Sequence, residues 1–173
     1  MFKAVGYRFQ WKDLGDIETG RPHLGANMPV AVYRLMQYTL RERLIRRLST
    51  EEATDILREA GWRAGTEFCA NVLDRSLPFD KFLAHVQDKL QGLKIGLLRM
   101  EHSDLSAMEF TLTVSEDLDC SGLPFLGETV CEYDEGFIAG LLEGYTGEHF
   151  EAREVDCWAS GDRTCRFRVT RRQ

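Results

Sequence analysis

No stretch of this sequence approaches the eighteen or so consecutive apolar residues that a membrane-spanning helix needs. The start, Met1-Phe-Lys-Ala-Val-Gly-Tyr-Arg-Phe-Gln, has no apolar core of a signal peptide. The expected compartment is therefore the cytoplasm. Excess positive charge is also missing: 28 acidic against 22 basic side chains leave a net charge of -6, the wrong sign for a chain that lives on phosphate backbones. Direct nucleic-acid binding is not expected. No G-x-G-x-x-G follows a strand, and no flavin motif is visible. No Ser or Cys pairs by spacing with a histidine and a carboxylate, so nothing points to nucleophilic catalysis and the reading is binding rather than chemistry. Repeats, low-complexity tracts and linkers are absent too.

What is present is a chain of 173 residues, 43% hydrophobic, the size of one domain with a core of its own. Residues 1–28 read as an irregular arm, punctuated by Gly15, Gly20, Pro22 and Gly25. From Pro29 onward Val32, Met36, Leu40, Leu44 and Leu48 recur every four residues. They predict an amphipathic helix with Arg34, Arg41, Arg43, Arg46 and Arg47 on its solvated side. Ser49 and Glu52 form a capping box that starts a second helix, with Ile56, Ala60, Ala64, Phe68 and Val72 as its inward stripe. Gly61 and Gly65 beside that stripe each cost about 1 kcal/mol relative to alanine, so they predict close approach of another backbone. Cys69 is expected in the core. A third helix follows Pro78, with Phe79, Phe82, Leu83, Val86 and Leu90 inward and His85 near them.

After Gly92 the period becomes two. Leu93, Ile95 and Leu97 form one expected strand, and Met108, Phe110, Leu112 and Val114 the next, joined across His102 to Ser106. A loop holding Cys120 precedes a helix in which Gly136 and Gly140 share one side. Two strands, 150–158 and 164–170, close the chain. The order predicts an α+β fold, an antiparallel sheet with helices against one face. Glu128, Glu132, Asp134 and Glu135 read as a solvated acidic patch.

Five cysteines are an odd number, and in a reducing compartment clustered cysteines are metal or catalytic residues before they are disulfides. Cys157 and Cys165 are symmetric about Gly161, so a tight turn there sets them opposite each other, close enough to share a metal ion. Cys131 and Glu154 are within plausible reach, although Glu154 and Cys157 have opposite strand parity and need a bulge or the strand's end to share a side. Cys120 has no assigned role.

Three segments carry a family resemblance: Ala60-Gly-Trp-Arg-Ala-Gly, Gly136-Phe-Ile-Ala-Gly-Leu-Leu, and the terminal run from Glu154 to Val169 with its E-x2-C-x3-G-x3-C-x-F pattern. They resemble the 4-vinyl-reductase-type domain, over about residues 29–173. Leu40-Arg-Glu-Arg-Leu-Ile, followed by Ala60-Gly-Trp, is also similar to the N-terminal sensor of phenol- and xylene-responsive activators. The resemblance implies a fold shared with TRAPP small subunits and haem-nitric-oxide-binding domains. It also implies a structural zinc ion held by Cys131, Glu154, Cys157 and Cys165, and a homodimer formed through the arm and first helix.

A buried pocket for an aromatic or hydrocarbon effector is implied as well, with Phe82, His85, Phe110, Trp158 and Phe167 as expected ligand-binding residues. The function that follows is a small-molecule-binding regulatory domain acting through a protein partner, because the sequence ends just past the sensor-like region. Two alternatives come from the same family: an accessory protein or reductase in (bacterio)chlorophyll vinyl-group reduction, and a protein-interaction scaffold. The starting methionine and the arm are read as those of a complete protein.

Overall fold

A computed structural model describes residues 6–172; the first five residues of the arm and Gln173 lie outside the described residues. Within the arm, Trp11–Leu14 form one 3-10 turn and Ile17–Gly20 a short helix, α1. The arm lies on the second long helix: the Trp11 amide donates to Glu67 Oε2 at 2.7 Å, and Arg63 donates to the Phe9 carbonyl.

Four further helices and four strands follow: α2 (Val30–Arg47), α3 (Thr50–Val72), α4 (Phe79–Gly92), β1 (Leu97–Asp104), β2 (Glu109–Ser115), α5 (Glu132–Thr146), β3 (Phe150–Asp156) and β4 (Cys165–Arg171). The strands make one antiparallel sheet in the order β1-β2-β4-β3. Alternation decides its faces. Phe110, Leu112, Val114, Phe167 and Val169 point into the core, while Arg166 on the outer face pairs with Glu101 and Asp156. The expected α+β architecture is the observed one.

Glycine decides how the helices stack. A Cβ placed on Gly61 would lie 1.9 Å from the Tyr133 carbonyl oxygen, and one on Gly65 would lie 2.1 Å from that of Phe137. From the other side, Cβ atoms on Gly136 and Gly140 would lie 1.9 and 2.2 Å from the carbonyl oxygens of Arg58 and Trp62. Thus α3 and α5 cross backbone to backbone, as the glycines predicted, and α5 is pressed between α3 and the sheet. The crossing also corrects the α3 stripe. Its buried residues are Ala53, Leu57, Gly61, Gly65, Phe68 and Cys69: Phe68 and Cys69 are buried as expected, but Leu57, Gly61 and Gly65 lie one position round from Ile56, Ala60 and Ala64, and Ile56 is exposed.

The first long helix is a larger correction. Val32, Met36, Leu40 and Leu48 of the expected inward stripe are exposed on α2, whereas Gln37 is buried. Polar groups point inward because what α2 covers is a loop with carbonyls to satisfy, residues 116–131, rather than an apolar surface. Arg34 donates to the carbonyls of Leu118 (2.7 Å) and Ser121 (2.9 Å), and Arg41 to that of Val130 (2.8 Å) and to Glu132. These two arginines are clamps rather than solvated surface.

Smaller boundaries move too. β1 begins at Leu97, because residues 93–96 turn through Lys94 at a positive φ of 62° and Leu93 is exposed. His102 belongs to β1 rather than to the connecting turn.

Candidate metal centre and ligand cavity

Four cysteines from four separate places meet inside the domain. Cys120 sits in the loop after β2, Cys131 caps the N-terminus of α5, Cys157 follows β3, and Cys165 opens β4. Their sulfurs all lie within 4.8 Å of one another. All four residues are at most 1% exposed.

Local structure aims each thiol. The Asp117 carboxylate accepts from the amides of Asp119 (2.7 Å) and Cys120 (3.1 Å), folding the loop that delivers Cys120. The pairing register of β3 slips between Glu154 and Asp156, the bulge that the parity argument required. Ser160 Oγ accepts from the Cys157 amide and donates to its carbonyl, while Gly161 closes the turn at a φ of 109°, a conformation open to glycine.

Two of the three short sulfur spacings match a tetrahedral ion, and the third is tighter. Zn–S bonds of about 2.3 Å place two sulfurs about 3.8 Å apart on a tetrahedron. Cys131 Sγ lies 3.8 Å from Cys157 Sγ and 3.9 Å from Cys165 Sγ, and Cys120 Sγ lies 3.1 Å from Cys165 Sγ. The cluster's electrostatics have the same sense. Hydrogen bonds from Cys120, Cys131 and Cys165 pull the Cys157 thiol below its ordinary value, whereas those within the cluster, Cys120 first, push Cys131 and Cys165 up. One thiolate is stabilised by its neighbours; further thiolates need a cation.

Cys120 is the ligand candidate that sequence reasoning left without a role. No spacing motif marks it, because the loop that brings it in is folded by Asp117 and clamped by α2. Glu154 borders the cluster: its Oε2 accepts from the Cys131 amide at 3.1 Å, and its Oε1 is buried without a hydrogen-bond partner. Burial, followed by the Cys157 charge, pushes the Glu154 carboxyl up to about 8. Of the acidic patch expected around it, Glu128 is exposed, whereas Glu132, Asp134 and Glu135 are drawn inward. Glu135 is 6% exposed, pairs with Arg58 and accepts from the Glu154 amide, while Glu132 pairs with Arg41.

Next to the cysteines, between α4, the sheet and α5, is an apolar cavity of about 50 Å³. Phe82, Val86, Leu98, Leu112, Ile138 and Leu141 are among its walls, and among the described residues its only ionisable lining groups are Asp117 and Asp134. The carboxylates of Asp117 and Asp134 lie within 4.8 Å of each other and of Cys131 Sγ, and Asp134 Oδ2 is enclosed with no hydrogen-bond partner among the described residues. Burial first, then the charge of Asp119, pushes Asp117 up to about 6; burial, then Asp117 and Asp119, raises Asp134 well above the usual carboxylate range. Asp119 points away from the cavity to α2, accepting from Tyr33 Oη at 2.8 Å and Gln37 Nε2 at 2.6 Å.

Among the five residues expected to bind a ligand, Phe82 lines this cavity. Phe110 and Phe167 are buried in the sheet layer, Phe110 between Phe79 and Phe150. His85 lies on the outer side of α4, where its Nδ1 faces the Asp74 amide at 3.4 Å. Trp158 donates from Nε1 to the Leu123 carbonyl and borders a separate surface groove with Arg34 and Lys94. Cys69 is fully buried under α5, against Gly144.

The segment from Phe110 to Arg171 holds all four clustered cysteines and both cavity carboxylates. Residues 110–171 match the 4-vinyl-reductase-type domain. The chain is 29% identical over 108 residues to an uncharacterized protein of Methanocaldococcus jannaschii in a match covering 62% of this chain, and it spans about three-fifths of that relative's length. Solved structures share the fold. A vinyl-4-reductase family protein from the same organism superposes with a TM-score of 0.63 at 14% identity, over 98% of this chain and all of the other. The phenol-responsive sensory domain of the transcription activator PoxR, with phenol, gives 0.62 at 17%, over 83% of this chain and 75% of that one. Trafficking protein particle complex subunit 3 of Naegleria fowleri, covalently bound to palmitic acid, gives 0.62 at 12%, over 83% and 95%. Among the described residues no helix is long and apolar enough to cross a membrane.

Proposed function

We propose that this chain is a small-molecule-binding regulatory domain whose ligand enters the apolar cavity between α4, the sheet and α5, and whose cysteine cluster holds a structural zinc ion. The observation that carries the reading is the cavity's composition: hydrophobic walls with a carboxyl pair at one end, the arrangement of a specific ligand site. The sensory domain of PoxR, a fold relative bound to phenol, supports it.

At about 50 Å³ the cavity is contracted, since a benzene-sized guest takes an apolar space of roughly 150 Å³. Opening falls to α4, which covers it with Phe79, Phe82, Leu83, Val86 and Leu90. The occupant's far end then meets Asp117, whose loop delivers Cys120 and is clamped by Arg34 and Gln37 of α2. Ligand binding is thereby coupled to α2, and its exposed Val32, Leu35, Met36 and Leu40 form the surface for a homodimer or a regulatory protein partner.

For the zinc, Cys131, Cys157 and Cys165 are the constant ligands. Cys120 fills the fourth place in preference to Glu154, because its sulfur lies within 4.8 Å of the other three. Four protein ligands leave no open position, so the ion staples the loop, α5 and the last hairpin together and does no chemistry. Thermal-shift measurements against phenols, fatty acids and tetrapyrroles test the ligand reading: stabilisation by at least one class is expected, and a flat response to all of them contradicts it. The setting expected is the cytoplasm.

A further inference from the structure

Resting on that ligand reading, we infer that the cavity selects an apolar molecule whose polar end donates hydrogen bonds, a hydroxyl or an amine, and rejects carboxylates. Among the described residues the walls supply no polar side chains except Asp117 and Asp134. Asp117 spends one oxygen on the amides of Asp119 and Cys120 and is 4% exposed. Asp134 Oδ2 is enclosed and has no partner among the described residues. A buried acceptor of this kind is satisfied by a donor brought in by a guest.

An anionic head group would find the reverse. Among the described residues no lysine, arginine or histidine lines the cavity. The guanidinium groups that clamp this loop are committed elsewhere, Arg34 to the carbonyls of Asp117, Leu118 and Ser121, and Arg41 to Val130 and Glu132. A carboxylate would therefore be desolvated against two carboxyl groups without a cation to offset it. Selectivity here comes from the unpaired oxygen as much as from shape, because a site built to accept a hydrogen bond discriminates against an isostere that lacks the donor.

Four probes built on one phenyl ring separate head group from body: toluene, benzyl alcohol, benzylamine and benzoate, titrated calorimetrically into the zinc-loaded protein. Benzyl alcohol or benzylamine should bind at least about tenfold more tightly than toluene, with benzoate weakest. The better of the two names the donor as neutral or cationic. In Asp134→Leu the ratio between the toluene and benzyl alcohol constants should fall to about one; the ratio in the unsubstituted protein is decisive if that variant does not fold. Toluene or benzoate binding as tightly as both donors overturns the inference while leaving the cavity as a ligand site. No binding of any of the four overturns the cavity reading along with it.

Discussion

The glycine crossing of α3 and α5 makes the sharpest energetic prediction, for Gly65→Ala. The new Cβ would lie 2.1 Å from the Phe137 carbonyl oxygen, and ordinary contact begins near 3.4 Å, so the helices must part by about 1.3 Å. The obstacle is backbone on a packed helix and cannot rotate away. Separations of that size forfeit much of the dispersion energy across the contact, and overpacking of this kind costs about 1–3 kcal/mol. A backbone clash belongs at the upper end of that range. Alanine's better helix propensity offsets about 1 kcal/mol, which leaves a net loss of about 2 kcal/mol. In a chain of this length that is a fall in Tm of roughly 4–8 °C.

Gly92→Ala is the control. Nothing lies within 4 Å of a Cβ there, and the residue ends α4. It should be neutral or stabilising by up to about 1 kcal/mol. Urea unfolding of both variants reads the difference. A Gly65→Ala protein as stable as the parent would show that the helices do not approach through their glycines, and the position of α5, with Cys131, Asp134 and Leu141 on it, would need another explanation.

Three further outcomes concern the cysteine cluster and the loop that α2 clamps. Free zinc at a thousand times its Kd should stabilise the protein by about 4 kcal/mol, and Cys157→Ser should remove most of that gain; an unchanged melting curve with and without zinc contradicts the site. Cys120→Ser should weaken zinc retention against a chelator far more than Glu154→Gln does, and the opposite ranking assigns the fourth place to the carboxylate. Arg34→Ala strips donors from partly buried carbonyls and should cost about 2–3 kcal/mol and loosen zinc retention. Exposed Arg43→Ala should stay within about 0.5 kcal/mol, and equal effects of the two would return both to the solvated surface.

Which features could be read from residues alone follows from where the information lies. The capping box at Ser49 and Glu52, the alternation through Phe110, Leu112 and Val114, and the turn at Gly161 are local patterns, and each appears where expected. The bulge after Glu154 was legible as a conflict of parity. The orientation of α2 was not, because periodicity shows that a helix has an apolar face but not what that face meets. Its inward side is set by the unpaired carbonyls of a distant loop. Cys120 and Asp134 escaped for the same reason: one sits in an unpatterned loop and the other in what looked like a run of solvated acids, and only the fold brings both beside Cys131. His85 and Trp158 were expected in the pocket that the family resemblance implies, and the helix register and the Leu123 carbonyl direct them elsewhere.

Methyl-resolved NMR of the zinc-loaded protein, titrated with benzyl alcohol, tests the central claim most directly. Saturable shifts at the methyl groups of Val86, Ile138 and Leu141, lost when Leu141→Trp fills the space, are the result this account predicts. Shifts confined to residues outside that cavity, or shifts that survive Leu141→Trp unchanged, would contradict it.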